Sequence, residues 1–264
     1  MLISKGKPQG FPELTGKIET IRYPVYVEPK IDGITNWLYL PSLGDPAIDD
    51  VEGPYLVNGN GKVLSDLSIA HEMEMTYSPH KFLGELHCGD GKAGDFYKIK
   101  GASENELKFM IYDIDMPGTY EERSKWLDGH INDSEHIKLI RQHRCTLRSQ
   151  VEYYFEEFVK QGYEGIVVKS FDSRLIMGPC PWVKMKHKET LDLKVSSISP
   201  TQERIEVLVP LETGSIACGV KVINKIKAML KVGDIVEIEH LGRIDGDNLR
   251  SPVFKRKRDD KCSA

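Results

Sequence analysis

The stretch YPVYVEPKIDGIT, residues 23–35, starts as a strand and then stops reading like one. Val25 and Val27 stand among aromatic residues, a composition suited to a pleated, half-buried surface. Glu28, Lys30 and Asp32 follow at every second position, and residues two apart on a strand share a face. Gly33 closes the row and ITNWLYL begins again as strand, so 23–39 reads as strand, turn at Asp32-Gly33, strand. Alone, K-x-D-G is a solvated surface row, and it arises by chance in about one chain in twenty of this length. A nucleophilic lysine is the other reading. A free lysine is neutral about once in 2,500 at pH 7, so that reading needs partners that activate the amine.

Composition bounds the class. The chain has 264 residues, enough for one large domain or for an ordinary domain plus a small one. Charged residues make up 29% and hydrophobic ones 40%, as in soluble globular proteins. No apolar run approaches the roughly 18 residues of a membrane span. The opening MLISKGKPQG has no apolar core of a signal peptide. Five cysteines are scattered without a CxxC pair, which argues against a zinc ribbon or a disulfide framework. The expectation is a cytoplasmic protein with no membrane partner. The net charge of −4 disfavours a passive nucleic-acid coat. The basic runs WVKMKHK (182–188) and FKRKRDDK (254–261) still allow a local basic groove.

Along the chain, PSLGDPAIDDVEGP (41–54) reads as loop and YLVNGNGKVL (55–64) as a hairpin on its Asn-Gly signals. HKFLGELHC (80–88), LKFMIYDIDM (107–116), GIVVKS (165–170) and PWVKMKH (181–187) are strand-like. Residues 89–106 read as loop with some helix. The span 120–162 is the main helical region, where LRSQVEYYFEEFVKQG shows a 3.6-residue period and a Gly stop. After about residue 190 the chain turns into short strands broken by turns, with one helix-like piece, KVINKIKAMLKVG (221–233). Such a segment suits a five-stranded OB-fold barrel. The expected organisation is 1–190 followed by a barrel at 191–264.

Partners for Lys30 come in one order. FLGELHC carries Glu85, and FMIYDI carries Tyr112 before Asp113. GYEGIVVKS carries Glu164 and, five residues on, Lys169. WVKMKHK carries Lys184 and Lys186, and FKRKRDDK ends the series with Arg258 and Lys261. Competing signals fail. GELHCGDGKAG lacks the G-x-x-x-x-G-K-S/T spacing of a Walker A loop. DIDMPG puts Pro117 at an EF-hand ligand position. His87-Cys88 has no further ligands at zinc spacing and reads as a core or surface pair.

The full series resembles the covalent nucleotidyltransferases: ATP-dependent DNA ligases, RNA ligases and mRNA capping enzymes. The resemblance runs nearly end to end, through K-x-D-G, G-E-L, the aromatic-Asp pair, E-G-x-x-x-K, W-x-K-x-K and F-x-R-x-R-x-D-K. It implies an α+β nucleotidyltransferase domain, with ATP-grasp-like antiparallel sheets and helices, then an OB-fold barrel. It implies that Lys30 takes AMP from ATP, with Asp32 beside it and Lys184 and Lys186 offsetting charge on the α-phosphate. Glu28 and Gly33 fall to the nucleotide, as do Glu85, Tyr112, Glu164 and Lys169. Glu85 and Glu164 would also serve Mg2+. Arg258 and Lys261 would reach the β- and γ-phosphates. The C-terminal stretch resembles the end of ATP-dependent DNA ligases, and the roughly 29 residues before the lysine imply a minimal ligase of the phage or viral kind. The implied partner is nicked duplex DNA, met by a monomer.

Two positions depart from the ligase pattern. Thr35 stands where K-x-D-G-x-R has arginine, and Gly59 where a second arginine is expected, with Lys62 as a candidate replacement. RNA ligases more often carry a small polar residue after K-x-D-G. An RNA ligase, or one preferring RNA-containing nicks, therefore stays open. So do a guanylyltransferase and a non-catalytic nucleic-acid binder.

Overall fold

Strand β3 (Ile34–Leu40) explains why ITNWLYL is apolar almost throughout. Leu38 and Leu40 pack into one core with Leu56, Phe82, Phe109 and Ile111. Trp37 and Tyr39 pack on the opposite face with Tyr55, Val57 and Leu83. A strand covered on both faces loses the polar alternation of a surface strand. The protein is described here from a computed structural model over residues 12–14, 16–40, 54–64, 69, 72, 80–244 and 247–261. The predicted loop at 41–54 lies outside the described residues except for Pro54. The chain forms two compact units, Met1–Met185 and Lys186–Ala264.

In the first unit, β1 is Pro12–Leu14, β2 Val25–Pro29, β4 Tyr55–Asn58, β5 Val63–Leu64 and β6 His80–Cys88. Next come β7 (Leu107–Ile114), β8 (Ile137–Leu139), β9 (His143–Cys145), β10 (Gly165–Ser170), β11 (Gly178–Cys180) and β12 (Val183–Lys186). A six-stranded sheet runs β5-β4-β3-β6-β7-β8, and a four-stranded sheet runs β12-β10-β2-β9. β1 pairs with β11 in parallel. On β2, Val25 and Val27 join Ile166, Val168, Val151 and Phe158 in a core under the helix Arg148–Lys160. Strand alternation then turns Tyr26 and Glu28 to the opposite face.

The strand-turn-strand reading of 23–39 and the 55–64 hairpin both stand. The hairpin turn is wider than two residues: Asn58 Oδ1 accepts from the amides of Asn60 and Lys62, and Gly61 sits at φ 73. The span 120–162 is less helical than its sequence suggests. It holds the helices Tyr120–His130 and Arg148–Lys160 with β8 and β9 between them. Asp133 and Ser134 cap short chain reversals there: Asp133 accepts from the Leu139 amide and Ser134 from that of Ile137. The helix Tyr120–His130 opens with a reciprocal capping box between Thr119 and Glu122. Gly162, at φ 92, ends the second helix as expected.

The second unit is a closed barrel, β13-β14-β15-β17-β16. Its strands are β13 (Glu189–Ile198), β14 (Arg204–Pro210), β15 (Ser215–Lys221), β16 (Ile235–His240) and β17 (Val253–Lys257). Leu193, Val195, Ile205, Val207, Val209, Val220, Val236 and Ile238 fill it, alternating along each strand. The piece at 221–233 is helical only at Asn224–Lys227, because Val222 and Leu230 are drawn into the barrel core on either side. Among the described residues, no helix is long and apolar enough to cross a membrane.

Candidate active site

β2 ends at Pro29, so Lys30 follows the strand instead of lying on it. Its amide donates to the carbonyl of Gly165 at 2.9 Å, which fixes the lysine beside the start of β10. Its Nζ stands 2.6 Å from Glu164 Oε2. The lysine side chain is 20% exposed and the glutamate 2%, so the amine is reachable while its counter-charge is not. The three alternating charges do not form one row. Glu28 pairs with Lys169, Lys30 pairs with Glu164, and Asp32 accepts from the Gly94 amide at 2.7 Å. The strand face that spacing implied is broken by its own end at Pro29.

Gly33 is required by close approach. A Cβ there would lie 2.4 Å from the carbonyl oxygen of Leu86 and 2.8 Å from Glu85 Cγ. The chain thus enters β3 hard against β6, and the register sets Thr35 opposite Glu85. Thr35 Oγ1 donates to Glu85 Oε2 at 2.9 Å, filling with a short polar contact the position where an arginine was expected. Burial pushes the Glu85 carboxyl up to about 7, against the pull of Lys30 and the Thr35 hydroxyl; Asp32 and Glu164 add to the rise.

Behind the lysine lies a second buried pair. Lys169 Nζ is 2.7 Å from Glu28 Oε1, and the two side chains are 1% and 4% exposed. The ammonium sits over the rings of Tyr112, Tyr120 and Trp182 at 4.6, 4.7 and 4.4 Å, a cation–π cage. It also donates to the Tyr112 carbonyl and the Tyr120 hydroxyl, and that hydroxyl in turn donates to Glu28 Oε2 at 3.1 Å. Burial raises the Glu28 carboxyl's pKa; Lys169 opposes it. Nothing in the spacing of the sequence pointed to Tyr120, which reaches the site from the first residue of its helix. Trp182 was visible only as part of W-x-K-x-K.

An open cleft with a volume of about 190 Å³ runs between these groups. Glu28, Lys30, Glu85, Tyr112, Lys169 and Lys184 all line it, with Thr35 and Trp182. Asp32 and Gly33 lie behind the lining, held by the backbone contacts just given. Lys186 ends β12 and belongs to the second unit. Arg258 and Lys261 are also in that unit, where they converge on one carboxylate. Arg258 Nη1 donates to both oxygens of Asp192 at 2.9 and 2.7 Å, and Lys261 Nζ is 2.6 Å from Asp192 Oδ2. Gly59 and Lys62 are exposed at the 58–62 turn. His87 and Cys88 are buried core residues.

Among the described residues, no three His, Cys, Asp or Glu side chains are placed to hold a metal ion by themselves. The available donors are the carboxylates of Glu85 and Glu164 beside Lys30. That set fits Mg2+, which takes one or two carboxylates and completes its shell with water and phosphate oxygens.

Residues 74–186 match the family described as ATP dependent DNA ligase domain. A segment of 85 residues is 38% identical to the DNA ligase of Archaeoglobus fulgidus, covering 31% of this chain and 15% of that protein. One of 87 residues is 36% identical to DNA ligase 1 of Methanosarcina acetivorans, again 15% of its length. The match thus spans a small part of these curated relatives. Among solved structures, a Lig E DNA ligase, described as DNA binding with a minimal scaffold, superposes with a TM-score of 0.73 at 17% identity, over 94% of this chain and 99% of that one. The ligase domain of M. tuberculosis LigD superposes with a TM-score of 0.55 at 16% identity, over 96% of each chain. These likenesses show a shared fold, nucleotidyltransferase followed by OB barrel. Sequence match and fold converge: residues 74–186 resemble the ATP dependent DNA ligase domain, and the chain as a whole has the fold of solved DNA ligases.

Proposed function

We propose that this protein is an ATP-dependent ligase that seals nicks in duplex DNA through a lysyl-AMP intermediate on Lys30. The observation that carries the reading is the cleft itself, where one reachable lysine amine faces a buried carboxylate at 2.6 Å beside an open space lined by Glu28, Lys169 and Lys184. Lys30 Nζ attacks the α-phosphorus of ATP. A P–N bond forms, the bond to the β-phosphate oxygen breaks, and pyrophosphate leaves with the electron pair while the amine gives up its proton. The AMP then passes to the 5′-phosphate at the nick, breaking the P–N bond. The 3′-hydroxyl attacks that phosphate and releases AMP.

The other groups divide the work. Lys184 on the cleft wall offsets charge on the α-phosphate, and Lys186 does so from the next outward position of β12. Glu28 reads the adenine edge, and Tyr112 and Lys169 support it. Glu85 and Glu164 hold Mg2+, which supplies charge neutralisation when bound. Arg258 and Lys261 engage the β- and γ-phosphates. The protein acts as a monomer in this reading. The described cysteines are all free and buried, in keeping with a cytoplasmic site of action.

A second reading has its own support. Thr35 is committed to Glu85 where an arginine was expected, so a ligase that prefers RNA-containing nicks shares this chemistry. One assay tests both. With α-labelled ATP and Mg2+, wild type takes up label and Lys30→Ala takes up none. Offered nicked duplexes, the protein seals an all-DNA nick. Sealing only when the 3′-hydroxyl side is RNA replaces the first reading by the second, and absence of any adduct ends both.

A further inference from the structure

The loop from Gly89 to Gly94, between β6 and the short helix Asp95–Lys98, carries none of the motif residues, yet it is bonded to both segments that meet at Lys30. The Asp32 amide donates to the Gly91 carbonyl at 3.0 Å, and the Gly94 amide donates to Asp32 Oδ2 at 2.7 Å. The Ala93 amide donates to the Gly162 carbonyl at 3.0 Å, in the turn two residues before Glu164. One loop therefore ties the K-x-D-G segment to the segment that presents the carboxylate facing Lys30.

The loop can do this only in a particular shape. Gly91, at φ 71, lets the backbone lie against Ile31: a Cβ there would be 2.8 Å from Ile31 Cγ2. Gly89 and Gly94 have φ of 75 and 98, also in the region that favours glycine. Asp95 holds that shape from inside. Its Oδ2 accepts from the amides of Asp90 and Lys92 at 3.1 and 2.9 Å, and its Oδ1 pairs with Lys98 at 2.7 Å. It is 4% exposed and is not among the residues lining the cleft.

We propose that Asp95 is a positioning residue for the Lys30 reaction, templating the 89–94 loop so that Asp32 is fixed and Lys30 stays in register with Glu164. The proposal rests on the lysyl-AMP reading. Its effect belongs to the chemical step. Of the groups assigned to the nucleotide, the buried set Glu28, Lys169 and Tyr112 is bonded together on β2, β10 and β7 and makes none of these loop contacts. Misplacing a reacting group by about 1 Å costs on the order of a hundredfold in rate without needing to change affinity.

The test is single-turnover adenylylation across a range of ATP concentrations, for wild type, Asp95→Ala, Asp95→Asn and Lys98→Ala. Asp95→Ala is expected to slow label transfer about 10- to 100-fold with KM for ATP held within about twofold. Asp95→Asn keeps one acceptor oxygen and is expected to recover part of the rate, to about fivefold below wild type, again with KM unchanged. Lys98→Ala removes only the exposed end of the ion pair and is expected to match wild type. Either Asp95 variant labelling at the wild-type rate overturns the proposal. So does a loss in which rate and KM move together in proportion to the fraction unfolded by circular dichroism. Should Asp95→Ala not fold, the Asp95→Asn result decides alone. A wild type that takes no label defeats the lysyl-AMP reading instead, so the two failures are distinct.

Discussion

Glu85 sits partly buried between Thr35 and the carboxylates of Asp32 and Glu164, with Lys30 as the one nearby cation among its perturbing neighbours. Its pKa of about 7 lies above its ordinary value of 4.5. Between those limits the folded protein holds a proton that the unfolded chain has lost, so stability falls as pH rises through that window. Without nucleotide or metal, the melting temperature is expected to decline from about pH 5 to pH 7.5. Glu85→Gln should flatten the decline. At pH 8 it should be more stable than wild type by about 1–2 kcal/mol, allowing for partial exposure of the carboxylate to the cleft. The same substitution should slow adenylylation at least about tenfold, since one of the two carboxylates proposed to hold Mg2+ is lost. Thermal melts at matched ionic strength check the first part; equal slopes for the two proteins would show that burial does not hold the proton. Stability and activity thus pull in opposite directions at one residue.

Strand β7 and the helix Tyr120–His130 are locked by a pair that the motif series half revealed. Asp113 follows Tyr112 in the aromatic-Asp motif, but its carboxylate turns away from the cleft lining and takes Arg123 in a bidentate bridge, Nε to Oδ1 at 2.7 Å and Nη2 to Oδ2 at 3.1 Å. Both side chains are fully buried, and Arg123 Nη1 also donates to the carbonyls of Gly118 and Ser173. Asp113→Ala leaves a guanidinium buried and unpaired, at a cost of about 3–5 kcal/mol. Urea unfolding should show it, and Asp113→Ala combined with Arg123→Leu should recover part of the loss. This element also marks what the sequence made legible. Val25 and Val27, the Asn58–Gly61 turn and the Gly162 stop are local signals, and the strands and turns they predict are present. Lys30, Glu85, Glu164 and Lys169 were singled out through the order of motifs in the family resemblance, and the fold brings Lys30, Glu85 and Lys169 to one cleft with Glu164 against Lys30. Arg123 was not, because its partner lies ten residues away across a strand-to-helix connection and a mid-helix arginine ordinarily reads as solvated. The pairing of β1 with β11, and the Tyr120 and Trp182 walls of the Lys169 cage, depend on contacts that no single window of sequence contains.

The whole chain carries a net charge of −4, so attraction to a polyanion has to come from a few clustered cations. In the barrel unit, much of that cationic charge is already spoken for. Asp192 takes both oxygens' worth of Arg258 and a bond from Lys261, while Arg258 Nη2 also meets Asp260 at 2.8 Å. These neighbours hold the Arg258 pKa above its ordinary value, and Lys261 and Arg258 hold that of Asp192 below its own. Exposed ion pairs are weak, so phosphate oxygens can displace the carboxylate. They must still compete with it, and a neutralised arginine releases fewer counterions from DNA than a free one. Asp192→Asn removes the competitor and keeps the side chain's shape. Binding to a nicked duplex is expected to tighten at low salt, with the plot of log K against log salt steeper by about one unit. In adenylylation, KM for ATP is expected to fall a few-fold, since the proposed partners of the β- and γ-phosphates no longer leave a carboxylate to reach them. Fluorescence anisotropy over 50–200 mM salt and single-turnover labelling read the two effects. If instead Asp192→Asn weakens both, the carboxylate is aiming Arg258 and Lys261 rather than holding them back, and the barrel's acid is part of the phosphate site.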